Sequence, residues 1–414
     1  MTLTPCYRRV NLVKASFCVK VTDEMPDRAT PPLLRRLNER TVLETIRLAA
    51  PISRAEISRR AGISKPTVSL ALQSLLAAGL VRESRSTPQG PSYGAVYFEP
   101  VPEAALVLGL DLGARFLRGA ICDLAGEVRA RQDVELRVAN AEEALTAVAG
   151  LRDSLLETSG LDGTLIDGAV LGVPGVVEAR TGKLSLAANV EGLEGRPLAD
   201  DLRERLGLPA ALENDINLAA LGEHWVGVAR GVSDFAFLSI GTGMGAGLVL
   251  DGELRRGHHG AAGEVDFALL GLGDDVDPAA PAISELAARL AREGDERTRL
   301  AAPFDVRALF AAARGGDPLG RAVVAEEARR IALHIAPIAA VADIGLVVLG
   351  GGIGANGDLL LEPVRTHLAE WLPYPPRIET SSLGEAAVLM GALAVGLRAA
   401  LDNVFSNRER PVPA

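Results

Sequence analysis

Five apolar runs, each closing on glycine or on short polar side chains, constrain the fold of this chain more than any other feature. They are ALVLGLDLG (105–113), GAVLGVPG (168–175), LPAALEND (208–215), DFAFLSIGTGMGAG (234–247) and IGLVVLGGG (344–352). Runs of this kind, without polar alternation, read as strands covered on both faces, and helical stretches lie between them. The pattern predicts an α/β fold with a largely buried sheet. The stretch 331–355 is the most apolar, yet it carries His334, Asp343 and a glycine triplet, which fits a buried helix followed by a strand rather than a membrane span.

A chain of 414 residues exceeds the size of one hydrophobic core, so two or three domains are expected. Charge divides them. Residues 31–100 hold ten Lys/Arg against five Glu, whereas the whole chain carries a net charge of -10. A basic module joined to an acidic body indicates that only the former meets a polyanion. Cys6, Cys18 and Cys122 are spaced too widely for a disulfide framework or a zinc cluster, which indicates a reducing compartment. Residues 1–30 have mixed composition and no apolar region of signal-peptide length. They read as a disordered segment of a cytoplasmic protein, with Met25 an alternative start.

Within residues 31–100 three helical signatures follow one another. Leu43, Ile46 and Leu48 give a first helix its apolar stripe. Ser53 and Glu56 make an S-x-x-E capping box for a second, which Gly62 closes. Ser64 caps a third, with Lys65 and Pro66 in its first turn, Val68, Leu72, Leu75 and Leu76 on its apolar side, and Gly79 at its end. The short second helix, the AGIS turn and the third helix have helix-turn-helix spacing, and LVRES and AVYFEP read as strands around a TPQGPSYG tip. This is a winged helix-turn-helix that binds double-stranded DNA. A small helical docking domain would share the helices but not the wing or the basic charge. In DNA-reading geometry Lys65, Thr67, Ser69 and Gln73 reach bases or phosphates. Arg54, Arg59, Arg60, Arg82 and Arg85 are phosphate contacts or solvated charges.

GTGMGAG (241–247) satisfies the dinucleotide-binding pattern G-x-G-x-x-G/A through Gly241, Gly243 and Ala246. That pattern needs a helix straight after the glycines, and AGLVLDGEL is strand-like and turns at Asp251-Gly252, so a hairpin is expected instead. Such a hairpin either cradles phosphate through its backbone N–H groups or is simply a tight turn.

Taken in order, Asp111 with Gly113, the GVPG loop, Asn189, LENDINLAALGE (212–223), SIGTGMGAG, GHHGAAGE and VLGGG resemble the motifs of the ROK family (repressors, open reading frames and sugar kinases) over about residues 105–400. The resemblance implies a two-lobed actin-like ATPase fold for residues 101–414, and the winged module in front resembles that of the family's transcription factors. It also implies residue roles. Asp215 corresponds to the base that deprotonates a sugar hydroxyl in the family's kinases. Asn189, Asn214 and Glu264 correspond to sugar-binding residues, and Glu285 matches a further one more loosely. Asp111, Gly113, Gly241, Thr242, Gly243, Gly350 and Gly351 correspond to a nucleotide site, here vestigial. Short Asn, Asp and Glu side chains suit the paired donors and acceptors of a sugar. The bland alternative for Asp215 is a cap on a helix 216–228.

Three departures from the family pattern shape the reading. Ala114, Arg115 and Phe116 replace GGTK after the first-strand Asp, which removes a phosphate-facing hydroxyl and undermines Mg-ATP chemistry directly. Phe267 in GEVDF stands where the family has a His that touches sugar and often zinc, and GLGDDVDPAAPAISE replaces the cysteine-rich segment, so no zinc is expected. His258 and His259 read as loop residues. In the DNA reader, Leu70 stands where Arg is common, and the wing's GRRP is reduced to QGP.

The sequence therefore reads as a sugar-responsive transcriptional repressor that binds operator DNA, takes a small-molecule sugar as effector, and needs neither cofactor nor membrane. A homodimer or homotetramer is expected, because one small module neutralises too few phosphates for tight specific binding. The alternative is an ATP-dependent sugar kinase that kept a DNA-binding arm, with Asp215 as its catalytic base.

Overall fold

The computed structural model describes residues 31–84, 95–136, 140–178, 181–186, 192–269, 276–293 and 298–406. Residues 1–30, Arg85, the TPQGPSYG tip, Asn189 and residues 270–275 lie outside them. The chain opens with α1 (Pro31–Ala49), β1 (Ile52–Ser53), α2 (Arg54–Ala61), α3 (Lys65–Ala77), β2 (Val81–Glu83) and β3 (Tyr97–Pro100). It continues through β4 (Leu106–Leu112), β5 (Phe116–Asp123), β6 (Val128–Glu135), α4 (Ala141–Ser159), β7 (Ile166–Val173), β8 (Val176–Val177), β9 (Leu184–Ser185), α5 (Leu198–Leu206) and β10 (Ala210–Asn214). The remainder comprises α6 (Asp215–Val226), β11 (Phe235–Ile240), β12 (Met244–Leu250), β13 (Glu253–Leu254), α7 (Ala280–Glu293), α8 (Val306–Arg314), α9 (Pro318–Ala342), β14 (Leu346–Gly350), α10 (Gly351–Gly354), α11 (Gly357–Trp371), β15 (Arg377–Thr380) and α12 (Ala387–Ser406).

The first elements form a winged helix-turn-helix. Ser53 Oγ accepts the Glu56 N–H and Gly62 ends α2 in the left-handed conformation, as the turn chemistry predicts. The return half of the capping box is not made, because the Glu56 carboxylate is drawn to Arg59 and Arg60 instead. Ser64 caps α3 and Pro66 fits its first turn. The strands order as β1-β3-β2, and β2 pairs antiparallel with β3 to make the base of the wing. The core of this module is Val42, Leu43, Ile46, Ile57, Val68, Leu72, Leu75 and Phe98. Leu48, expected on the buried stripe, is 72% exposed, and Leu76 also lies at the surface. The true stripe on α1 is Val42, Leu43 and Ile46, and Leu48 falls outside that arc.

The chain divides into two compact units. The first, Met1–Leu171 with Leu198–Leu212 and Val395–Ala414, holds the winged module and a five-stranded sheet of order β10-β7-β4-β5-β6. Strand β4 is buried along its whole length, as a run apolar but for Asp111 predicts. The second, Gly172–Pro197 with Glu213–Ala394, holds a five-stranded sheet of order β13-β12-β11-β14-β15. There β11 pairs antiparallel with β12 and parallel with β14, so GTGMGAG does join two strands of a hairpin and not a strand to a helix. Leu238, Ile240, Val347 and Leu349 from this sheet pack with Ile331 and Ile335 of α9. Among the described residues, the helix with the length and hydropathy of a membrane span is not within 331–355 but at Gly384–Asn403. Its Leu389, Ala392, Leu393, Leu397 and Leu401 are buried inside the chain, as in a core helix.

On α9, Glu327 is wholly buried and neither carboxylate oxygen has a hydrogen-bond partner among the described residues. Burial, only partly offset by Arg330, raises its carboxyl well above the ordinary range, so it is held as the neutral acid. Because the folded pKa lies above the unfolded one, the protonation part of the penalty is absent below about pH 4 and grows as pH rises, while the cost of burying an unpartnered carboxyl is present at every pH. Glu327→Leu is expected to stabilise the protein by about 1–3 kcal/mol at pH 4, where only the unpartnered carboxyl is removed, and by more at pH 7. Urea denaturation at the two pH values measures this. A loss of stability at both would contradict a neutral, unpartnered Glu327.

Candidate functional site

Helical periodicity sorts the side chains of α3. Val68, Ala71, Leu72 and Leu75 face the module's core, which places Pro66, Leu70, Gln73 and Ala77 in the middle of the outward face. Lys65 and Ser69 flank that face on one side and Thr67 on the other. Lys65 and Gln73 are exposed, while Thr67 and Ser69 are half-buried. The Ser64 and Thr67 hydroxyls lie 2.8 Å apart at the helix start, and Ser69 donates to the Lys65 carbonyl at 2.9 Å. Each hydroxyl keeps a lone pair with which to accept from a base. Arg82 donates to Glu99 across the wing at 2.7 Å, and Arg59 and Arg60 share Glu56, whose carboxyl they pull down to about 2. Much of the module's positive charge is therefore answered locally. Arg54 and Lys65 are exposed and form no ion pair among the described residues. Leu70, expected only as a departure from a family pattern, is 67% exposed at the centre of the face.

In the second unit the polar side chains of LENDINLAALGE have distinct employments. Glu213, 7% exposed, accepts from Arg256 Nε at 2.7 Å, and Arg256 Nη2 lies 2.6 Å from the same oxygen. Its other oxygen accepts from the Asn214 N–H and from Asn217 Nδ2, both at 3.1 Å. Asn214, not Asp215, caps α6: its Oδ1 accepts the Asn217 N–H at 2.8 Å. Asn214 Nδ2 donates to the Gly175 carbonyl of the GVPG loop at 2.9 Å, so each end of this amide keeps one further bond for a ligand. Glu223 is wholly buried and accepts from Val228 N, Leu383 N, Ser381 Oγ and Ser382 Oγ. Asp215 stands at the first position of α6, half-buried, with Oδ1 accepting the Ile216 N–H at 2.8 Å.

The glycine motif explains how Asp215 and Glu264 come to one place. A Cβ on Gly245 would lie 2.5 Å from Ile216 Cδ1 and 3.9 Å from the Gly263 carbonyl oxygen. A Cβ on Gly247 would meet the Ile216 carbonyl at 2.8 Å. Gly245 and Gly247 thus let the start of α6 close on β12. The Glu264 loop joins the same strand, with the Ala246 N–H donating to the Gly263 carbonyl at 2.8 Å and Asp266 accepting the Met244 N–H. Glu264 is half-buried, and burial together with the Asp266 charge holds its carboxyl above the ordinary range. Phe267 is exposed in the same short 3-10 turn, Val265–Leu269. Glu285 lies on the exposed side of α7, away from the buried Ile283, Leu286 and Ala287. His258 and His259 are exposed and pack edge to face. Among the described residues no three His, Cys, Asp or Glu side chains gather as metal ligands.

The glycines assigned to a nucleotide divide in two. Gly241 and Gly243 close the hairpin turn, Thr242 is exposed between them, and a Cβ on either glycine would meet nothing within 4 Å. Gly350 and Gly351 are required by packing, since Cβ atoms there would fall 2.2 Å from the Phe237 ring and 2.3 Å from the Ile240 carbonyl. In the first unit, Asp111 on β4 is buried and its carboxylate accepts from Arg118 of β5 at 3.3 Å. The Gly113 N–H donates to the Phe116 carbonyl to close the hairpin. Phe116 is flanked by the guanidiniums of Arg115 and Arg118, and Arg115 pairs with Glu135 at 3.4 Å. The charged side chains around this β4–β5 turn are thus engaged with one another.

Comparison with known proteins agrees with both modules. A profile of the ROK family matches residues 107–398, and one of the MarR family matches residues 36–90. The xylose repressor of Caldicellulosiruptor bescii is 27% identical over 385 residues, covering 88% of this chain and 96% of that protein. A glucokinase of Halalkalibacterium halodurans is 30% identical over 280 residues, covering 63% of this chain and 84% of the kinase. Among solved structures, a ROK family transcriptional regulator homologous to the E. coli MLC protein superposes with a TM-score of 0.76 at 23% identity, over 90% of this chain and 98% of that one. The Streptomyces griseus ROK glucokinase, in complex with glucose and AMPPNP, gives 0.59 at 26% identity over 70% of this chain and 99% of the kinase.

Removing Arg256 would leave Glu213 as a buried carboxylate without its cation. Arg256→Gln is expected to cost about 3–5 kcal/mol in chemical denaturation, and Glu213→Gln with Arg256→Gln less than the sum of the two single losses. Strict additivity would show that the two side chains are not coupled.

Proposed function

The chain belongs to the ROK family, and on that premise we propose that it is a sugar-responsive, DNA-binding transcriptional regulator acting as a repressor. One observation carries the reading: similarity to a xylose repressor runs through the reader and the body together, over 88% of this chain. The glucokinase similarities cover 63–70% of it. The site chemistry points the same way. Asp215, Asn214 and Glu264 keep the short polar side chains that suit a sugar, whereas Asp111 is answered by Arg118. Phosphoryl transfer depends on Mg-ATP placed by such a loop, so the body serves as a sensor and not as a kinase. It works in the cytoplasm without zinc or nucleotide, and as a homodimer or a larger even assembly, because paired readers supply the phosphate contacts one lacks.

A sugar changes DNA binding only by its differential affinity for the two states of the protein, and couplings of this kind span about 5- to 150-fold. The test is operator binding by the full chain on its own upstream DNA, with and without a sugar panel that includes xylose and glucose. One sugar is expected to weaken binding at least fivefold, with no phosphate transfer from Mg-ATP to any sugar. Operator binding unmoved by every sugar would remove the sensor. Sugar phosphorylation abolished by Asp215→Asn would instead establish the kinase.

A further inference from the structure

We propose that Leu70 is a specificity-determining residue that packs against the 5-methyl group of thymine in the major groove of the operator. The inference rests on the DNA-reading role of α3 and goes beyond it to the base that is read. Leu70 is 67% exposed, although a leucine of this kind gains from burial, and the periodicity of α3 sets it in the middle of the outward face. The major-groove edge of thymine differs from that of every other base in carrying a methyl group, and an apolar side chain is its natural contact.

The neighbours of Leu70 are consistent with an A·T step. Gln73, three residues further along the same exposed face, can donate and accept in a bidentate contact to adenine N6 and N7. Lys65 is the one cation on α3, and it stands at the flank near the helix start. The centre of the face, Pro66, Leu70, Gln73 and Ala77, therefore offers no guanidinium or ammonium to guanine. Leu70 also borders a groove of about 740 Å³ between α1 and α3, lined in part by Leu34, Asn38, Ala71 and Ser74. A protein contact through that groove is the competing use of the same side chain, and the experiment separates the two.

Preferred sites are first selected from random duplexes with the full-length protein. Each thymine of the selected site is then replaced in turn by uracil, which lacks only the methyl group. One thymine per half-site is expected to be sensitive, its replacement weakening binding by wild type about fourfold, the worth of one buried methyl group. Leu70→Ala should bind thymine and uracil duplexes equally, while Leu70→Met keeps the preference. Leu70→Arg should shift selection at that position towards guanine. The thymine-to-uracil ratio is read within each protein, so partial unfolding of a variant does not blur it. The proposal is overturned if wild type tolerates uracil at every position, or if Leu70→Ala remains as sensitive as wild type. A change in self-association by Leu70→Ala with the ratio intact would assign the residue to protein contact instead.

Discussion

The second unit is organised by one buried ionic contact, that between Glu213 and Arg256. A carboxylate with so little exposure survives only if its charge is answered and its lone pairs are filled. Arg256 supplies the charge, and the Asn214 N–H and Asn217 amide supply the remaining bonds. Through these contacts the end of β10, the first turn of α6 and the loop that precedes Glu264 are fixed to one another. Asn214 extends the frame to the GVPG loop, and Glu223, two turns further along α6, ties in residues 381–383. The polar cluster in an apolar sequence is thus mainly a frame, with Asp215 and Glu264 carried at its edge.

This division was only partly legible in the sequence. The α/β class, the winged module and the hairpin at GTGMGAG follow from apolar runs, caps and turn residues, which are local signals. What the polar residues do depends on partners far along the chain, and spacing carries no trace of them. Arg256 lies 43 residues from Glu213, so nothing near LENDINLAALGE reveals that its first carboxylate is paired. Asp215 and Asn214 are adjacent and equally able to cap α6, and only the backbone at the junction decides for Asn214. Glu327 has no sequence signal for a related reason: α9 bears many charges, and only the fold decides which of them is buried. Asn189 and Arg85 fall outside the described residues, so the structure says nothing of either.

The glycines show how a motif can serve two ends. In GTGMGAG the last two glycines of the run are demanded by the approach of α6 to β12, and the first two leave one side of the turn open. Packing alone would preserve Gly245, Gly247, Gly350 and Gly351 in a protein that had no use for nucleotide. Persistence of these residues is accordingly weak evidence for ATP. The state of Asp111 is stronger, because a carboxylate bonded to Arg118 must give up that partner before it can serve a metal-bound phosphate.

The two ends of a sugar kinase make different physical demands, and that difference explains how such a body becomes a sensor. Holding a sugar needs short polar groups on a rigid frame, and a frame like that of Glu213 and Arg256 would meet that need whether or not chemistry followed. Transferring phosphate needs, in addition, a loop of small residues with free amides and an open carboxylate. Here the Gly113 amide closes a hairpin and the Phe116 ring has the guanidiniums of Arg115 and Arg118 near it. In a body that served only as a sensor, filling that loop would cost nothing, and binding energy not directed at a transition state would remain available to separate two conformations. The same economy holds in the reader. Arg59, Arg60 and Arg82 are answered by glutamates, which limits indiscriminate attraction to phosphate and would leave more of the discrimination to uncharged side chains such as those at the centre of α3.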